Sequence, residues 1–119
     1  MKVVAVAVLL TLLAAAGCGG GGGRAVPGGS AARGKQLIEF QGCGSCHEIG
    51  GIPNANGRVG PSLVGIADHL TIAGKLPNTP ANLVRWLENP QRIVPGTLMP
   101  DLGLHQRGAR DIAAYLYRQ

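Results

Sequence analysis

Polar and apolar positions recur with helical spacing in three stretches of the chain. Gly34, Leu37, Ile38 and Gln41 share one face of a segment from Ala31 to Gln41, with Ser30 placed to cap it and Gly42 to stop it. Thr79-Pro80 opens a second helix, with Thr as N-cap and Pro at the first helical position, and puts Leu83, Trp86 and Leu87 on one side. That helix must end near Asn89, because the residue before Pro90 is pushed out of helical geometry. The third runs from about Gln106 to Tyr117, with Ala109, Ile112, Ala113 and Leu116 on one face. Its start is poor, since His105 is a weak cap and Gly108 loosens the first turns. Ser62–Ile72 is mostly apolar and has room for a short fourth helix, while Gly50–Pro61 and Pro95–Leu104 read as loops. No period-2 alternation marks a strand. The pattern predicts an all-α domain of three to four helices and long loops.

The N-terminus follows a different pattern. Met1-Lys2 gives a positive start, Val3–Ala16 is apolar but for Thr11, and Ala15-Ala16-Gly17-Cys18 follows. Residues 1–17 read as a secretory signal peptide, too short for a membrane span. Ala-Ala-Gly-Cys resembles a bacterial lipobox, in which cleavage leaves Cys18 first with a diacylglycerol on its sulfur. Ala15 stands where that motif usually has Leu, and ordinary cleavage near Gly17 or an uncleaved anchor are the alternatives. Residues 18–29 form a Gly-rich tether, and the eleven residues from Gly19 have a mean reach of about 18 Å. The expected folded domain is 30–119.

Two cysteines sit close together, in Cys43-Gly44-Ser45-Cys46-His47. C-x-x-C-H is the c-type haem attachment pattern. In a helical turn, positions i and i+3 share a face, so both thiols reach the two vinyl groups on one porphyrin edge and His47 comes under the iron. A zinc site would need four Cys or His ligands, and Cys18, His69 and His105 are not at such spacing. A thioredoxin-like pair would need a βαβ context, and a Cys43–Cys46 disulfide would leave His47 without purpose.

The opposite side of such an iron needs its own ligand. Met1 leaves with the signal, so Met99 is the remaining methionine, on a loop stiffened by Pro95 and Pro100. His/Met ligation raises the iron's potential relative to bis-His and leaves no vacancy for oxygen or peroxide. His69 and His105 are the competing distal candidates. Trp86 and Arg58 are candidates to meet the haem propionates; the alternatives are core packing for Trp86 and a solvated charge for Arg58.

Composition agrees with a domain folded around a cofactor. One Trp, one Phe and two Tyr leave a small chain with 20 Gly and 8 Pro short of apolar bulk, which a buried porphyrin would supply. The formal charge of +5 falls to +4 without Lys2, and two propionates would lower it to about +2. The basic residues are scattered, with almost no aromatic interleaving, so a nucleic-acid role is not expected.

Residues 31–117 resemble the class I c-type cytochromes. The shared order is an N-terminal helix, C-x-x-C-H, the segment Gly60-Pro61-Ser62-Leu63-Val64-Gly65, a loop Met and a C-terminal helix. The stretch Asn82–Met99 resembles bacterial small c-type cytochromes and the cytochrome c domains fused to some oxidase subunits. Ile38 stands where the family often has Phe, and His105 where a Ser, Thr or Asp cap is usual. The resemblance implies one covalent haem c on Cys43 and Cys46, ligated by His47 and Met99. It implies that the Pro61 carbonyl orients His47, that Leu63 presses on the ring, and that Gly34 and Tyr115 meet where the terminal helices cross. It further implies an exported electron carrier, not an enzyme, in the periplasm or on the outer face of the cytoplasmic membrane. Its expected partners are a quinol–cytochrome c oxidoreductase-like donor, an oxidase or reductase acceptor, and the membrane through a lipid on Cys18. A haem sensor or small peroxidase with a labile distal ligand, or a fixed haem subunit of a larger respiratory complex, are the alternatives.

Overall fold

The computed structural model describes residues 24–119. Four helices follow in order: α1 (Ala31–Gln41), α2 (Pro80–Glu88), α3 (Pro90–Ile93) and α4 (Gln106–Leu116). Single 3-10 turns lie at Cys43–Ser45 and Ile66–Asp68, and β1 (Thr71–Ile72) pairs antiparallel with β2 (Leu76–Pro77). This is the helical, loop-rich domain that the pattern predicts, with a two-strand hairpin added to it.

The ends of α1 are set locally. The Ser30 hydroxyl accepts from the Arg33 N–H at 3.4 Å, and Gly42 ends the helix in the left-handed region with φ 70°. Gly34 then lets α1 cross α4. A Cβ at Gly34 would overlap the Asp111 carbonyl and lie 3.0 Å from the Ile112 nitrogen. The closest partner of Gly34 is therefore the backbone of α4, not the aromatic ring of Tyr115 as expected. Tyr115 instead donates its hydroxyl to the Gly50 carbonyl at 2.7 Å. Below the crossing lie Ile38, Ala109 and Ile112, all at most 1% exposed; burying a side chain as large as Ile contributes about 1.5–3 kcal/mol.

Beside the crossing, the buried carboxylate of Asp111 accepts from Arg33 Nε at 2.9 Å, from Arg33 Nη2 at 3.1 Å and from the Ser30 backbone N–H at 2.7 Å. The fork to Arg33 holds its carboxyl below the usual range. Burial opposes that, and the Ser30 N–H and the charges of Arg33 and Arg107 reinforce it.

Thr79 caps α2 through the Asn82 N–H at 3.2 Å, and Leu83, Val84 and Leu87 face inward. Pro90 does not simply end the helical stretch. Asn89 accepts from the Arg92 N–H at 3.0 Å and restarts it as the short α3. The expected helix within Ser62–Ile72 is reduced to Ile66–Asp68, after Gly65 turns left-handed with φ 68°. A hairpin follows; its three-residue connection, 73–75, turns at Ala73 and Gly74 with φ 53° and 65°, and the Lys75 N–H donates to the Ile72 carbonyl at 3.0 Å; two successive positive φ values match strand twist. Its strands are two residues each, too short for any alternation to register in the sequence.

The packed unit also starts earlier than residue 30. Val26 is buried, and a Cβ on Gly29 would sit 2.5 Å from the Arg110 carbonyl. The Arg24 guanidinium lies 5.8 Å over the Tyr117 ring and donates to the Asn78 carbonyl. The last six residues of the expected tether, 24–29, thus pack with the domain; the expected signal peptide, the expected lipid site at Cys18 and the tether up to residue 23 lie outside the described residues. No helix among the described residues is long and apolar enough to cross a membrane.

Candidate haem site

The inner faces of α1, α2 and α4, represented by Ile38, Leu83 and Ile112, wall a cavity of about 760 Å³. That is the size and apolar character of a cofactor site. Cys43, Cys46 and His47 line it, and so does Met99 from the loop after α3. Among the described residues no three His, Cys, Asp or Glu side chains form a group that could hold a metal ion by themselves.

The C-x-x-C-H segment is wound into one tight turn. The Cys46 and His47 N–H groups donate to the Cys43 carbonyl at 3.2 and 3.0 Å. Both thiols are free. Burial pushes the Cys43 thiol above its usual range; its own backbone hydrogen bond works against this, and Cys46 adds to it.

The loop after the motif clasps it through backbone. Gly57 N–H donates to the Gly44 carbonyl at 3.1 Å, Gly60 N–H to the Cys46 carbonyl at 2.8 Å, and Leu63 N–H to the Glu48 carbonyl at 2.9 Å. A Cβ at Gly60 would overlap the His47 imidazole. Glycine there brings the chain flat against the ring and delivers Pro61. The Pro61 carbonyl lies 2.7 Å from His47 Nδ1. A carbonyl can only accept, so Nδ1 carries the proton and Nε2 keeps a free lone pair. A metal-binding imidazole needs that tautomer and that kind of outer partner. The chain's donors therefore fit haem iron.

The other expected residues are placed as follows. Leu63 and Trp86 line the cavity. Arg58 is exposed and does not line it, so the expectation of a propionate partner there gains no support. Of the competing distal histidines, His69 lies on the wall and His105 does not. Cys18 lies outside the described residues.

Three supporting residues escaped the sequence reading. Asn78 is buried, donates to the Ile66 and His69 carbonyls at 2.7 and 2.8 Å, and accepts from the Tyr117 hydroxyl at 2.6 Å. It ties the cavity's edge to the end of α4. Gln119 accepts from the Gly50 N–H at 2.6 Å and donates to the Leu63 carbonyl, joining the two ends of the loop that follows the motif. Gln91 binds the loop that carries Met99. A lone polar residue in a turn gives no local signal of a distant partner; only Asn78, directly before Thr79-Pro80, stands at a recognisable junction.

Comparison with known proteins agrees with this geometry. Residues 31–118 match the family model described as Cytochrome c. Cytochrome c2 of Rhodomicrobium vannielii is 32% identical over 108 residues, covering 80% of this chain and 83% of that protein. Cytochrome c oxidase subunit 2 of Alkalihalophilus pseudofirmus is 36% identical over 70 residues, covering 59% of this chain; the chain spans only 20% of that relative's length. The family carries covalently bound haem c for electron transfer, and Cys43 and Cys46 stand at the attachment spacing. By the extent of both matches, the chain belongs to the cytochrome c family.

Proposed function

We propose that the protein is a single-haem electron carrier of an exported, membrane-associated respiratory chain. It takes electrons from a quinol-oxidising complex and delivers them to a terminal oxidase or reductase. The observation that carries this reading is the presence of His47 and Met99 on the walls of one cavity. When bound, haem supplies one-electron chemistry by moving between ferrous and ferric iron. Cys43 and Cys46 fix its edge, and His47, oriented by Pro61, offers Nε2. Met99 would hold the iron from the other side, which would leave no position for oxygen or peroxide and disfavours a sensor or peroxidase role. The apolar wall of Ile38, Leu83 and Ile112 excludes water from the porphyrin. A lipid on Cys18 keeps the domain at the outer membrane face.

A second reading, a fixed haem subunit of a larger assembly, is favoured by the 70-residue similarity to an oxidase subunit. Fractionation separates the two. In a host that matures c-type cytochromes, the full chain is expected to stay with membranes through salt washes and to leave with detergent as a single-haem protein. Cys18→Ala is expected to make it freely soluble. Wild-type protein found in the soluble fraction would overturn the anchor. Release only within a multisubunit complex would overturn the shuttle.

A further inference from the structure

The loop that carries Met99 has little backbone pairing of its own. Thr97 N–H donates to the Val94 carbonyl at 3.1 Å, and Met99 N–H donates to the Thr97 hydroxyl at 3.3 Å. The rest of its hold comes from one side chain on α3. The Gln91 carboxamide donates Nε2–H to the Thr97 carbonyl at 2.7 Å and to the Met99 carbonyl at 3.1 Å. Its Oε1 accepts from the Gly96 N–H at 3.1 Å. Three groups of the loop therefore converge on one planar amide. Both donors and one acceptor are needed at once, which Gln meets and which no charged side chain of that length can. A residue that only solvated the helix would have no reason to meet three backbone groups of a different segment.

We propose that Gln91 is a positioning residue for the distal ligand, clamping the 96–99 loop so that Met99 stays on the haem side. This rests on the reading of Met99 as the axial ligand. Without the clamp, the loop opens more often, and Met99 leaves the iron more often, with no change to the proximal side.

The test compares the ferric holoprotein of wild type, Gln91→Met and Gln91→Glu. The methionine variant keeps length and loses all three bonds; the glutamate variant keeps only the acceptor for Gly96 N–H. Asn82→Ala serves as a control, since it removes two hydrogen bonds of similar exposure away from the loop: Asn82 Nδ2 donates to the Pro77 carbonyl at 2.9 Å, and Asn82 Oδ1 accepts from Arg85 Nη1 at 3.2 Å. The readouts are the rate of cyanide binding and the red-edge absorption band of the thioether–iron bond. Cyanide binding is expected to quicken about tenfold in Gln91→Met, for the equivalent of about 1.4 kcal/mol of loop opening, and by less in Gln91→Glu. The control stays at the wild-type rate. The thioether band is expected to fade on warming before the helical signal does, in the Gln91 variants only. Equal cyanide rates in all four proteins, or equal acceleration in the control, would overturn the clamp. A wild-type protein that lacks the thioether band would instead overturn the Met99 reading beneath it, so the two failures are distinguishable.

Discussion

The two sides of the haem cavity are held by different means. On the His47 side, the loop from Glu48 to Leu63 closes over the motif with two backbone hydrogen bonds from glycines pressed against the turn, a third joins the loop's own ends, and Pro61 fixes the imidazole. On the Met99 side, an exposed loop hangs on one amide side chain. The first side has no room to move, because a Cβ at Gly60 already meets the ring. The second does, because a Cβ at Gly96 meets nothing within 4 Å. Backbone clasps hold at the cost of sequence freedom, whereas a side-chain clamp keeps the ligand in place and lets the loop yield. In an electron carrier the proximal bond anchors the cofactor, and the distal bond sets the potential.

Paired substitutions at the two glycines strain that contrast hardest. Gly60→Ala is expected to push the His47 ring off its partner and to lower the yield of covalently haem-loaded protein several-fold, read from haem absorbance per polypeptide. Gly96→Ala is expected to load haem normally. It places a side chain at φ 82° and costs about 1–2 kcal/mol, measured as a shift in denaturant midpoint. Equal loading defects in both would erase the distinction between the two sides.

The helix crossing that supports both sides makes an intermediate prediction. Asp111→Asn removes a buried carboxylate that accepts from Ser30 and Arg33, and is expected to cost roughly 1–3 kcal/mol at neutral pH. The folded state holds the carboxyl lower than an unfolded chain does. Its contribution is therefore complete above the unfolded value of about 4 and is lost as the pH falls through the folded one. Wild type and Asp111→Asn should converge in stability as the pH drops below about 4; a gap that is independent of pH would contradict the assignment.

The smallest effect is at the cavity's edge. Ala73 sits left-handed at φ 53° in the hairpin turn. Ala73→Gly is expected to change stability by no more than about 1 kcal/mol, upward, since relief of strain slightly exceeds the added chain entropy. Thermal unfolding of the holoprotein measures it, and a fall in midpoint would contradict it.

What could be read in the sequence divides along the same physical line. The bounds of α1, the cap of α2 and the C-x-x-C-H turn were legible, because each is fixed within a few residues by Ser30, Gly42, Thr79 or Cys43. Asp111 was not, because its partners Ser30 and Arg33 lie 81 and 78 residues away. Asn78 was not either, with Tyr117 39 residues on. Arg58 was a candidate as a basic charge on the loop before Pro61, and its place off the cavity wall depends on a chain path that the sequence does not spell out. The Gln91 clamp spans five to eight residues yet carries no periodicity, so pattern reading passes over it.

The central claim is that one iron is held between His47 and Met99, and the Met99→Ala holoprotein tests it most directly. The account predicts that the variant keeps its covalent haem, loses the thioether–iron band, binds cyanide rapidly, and has a lower reduction potential, a drop within the ~0.8 V that axial ligands command. Replacing His69 with Ala should leave all four properties as they are. A Met99→Ala protein with the wild-type spectrum and potential would contradict the claim.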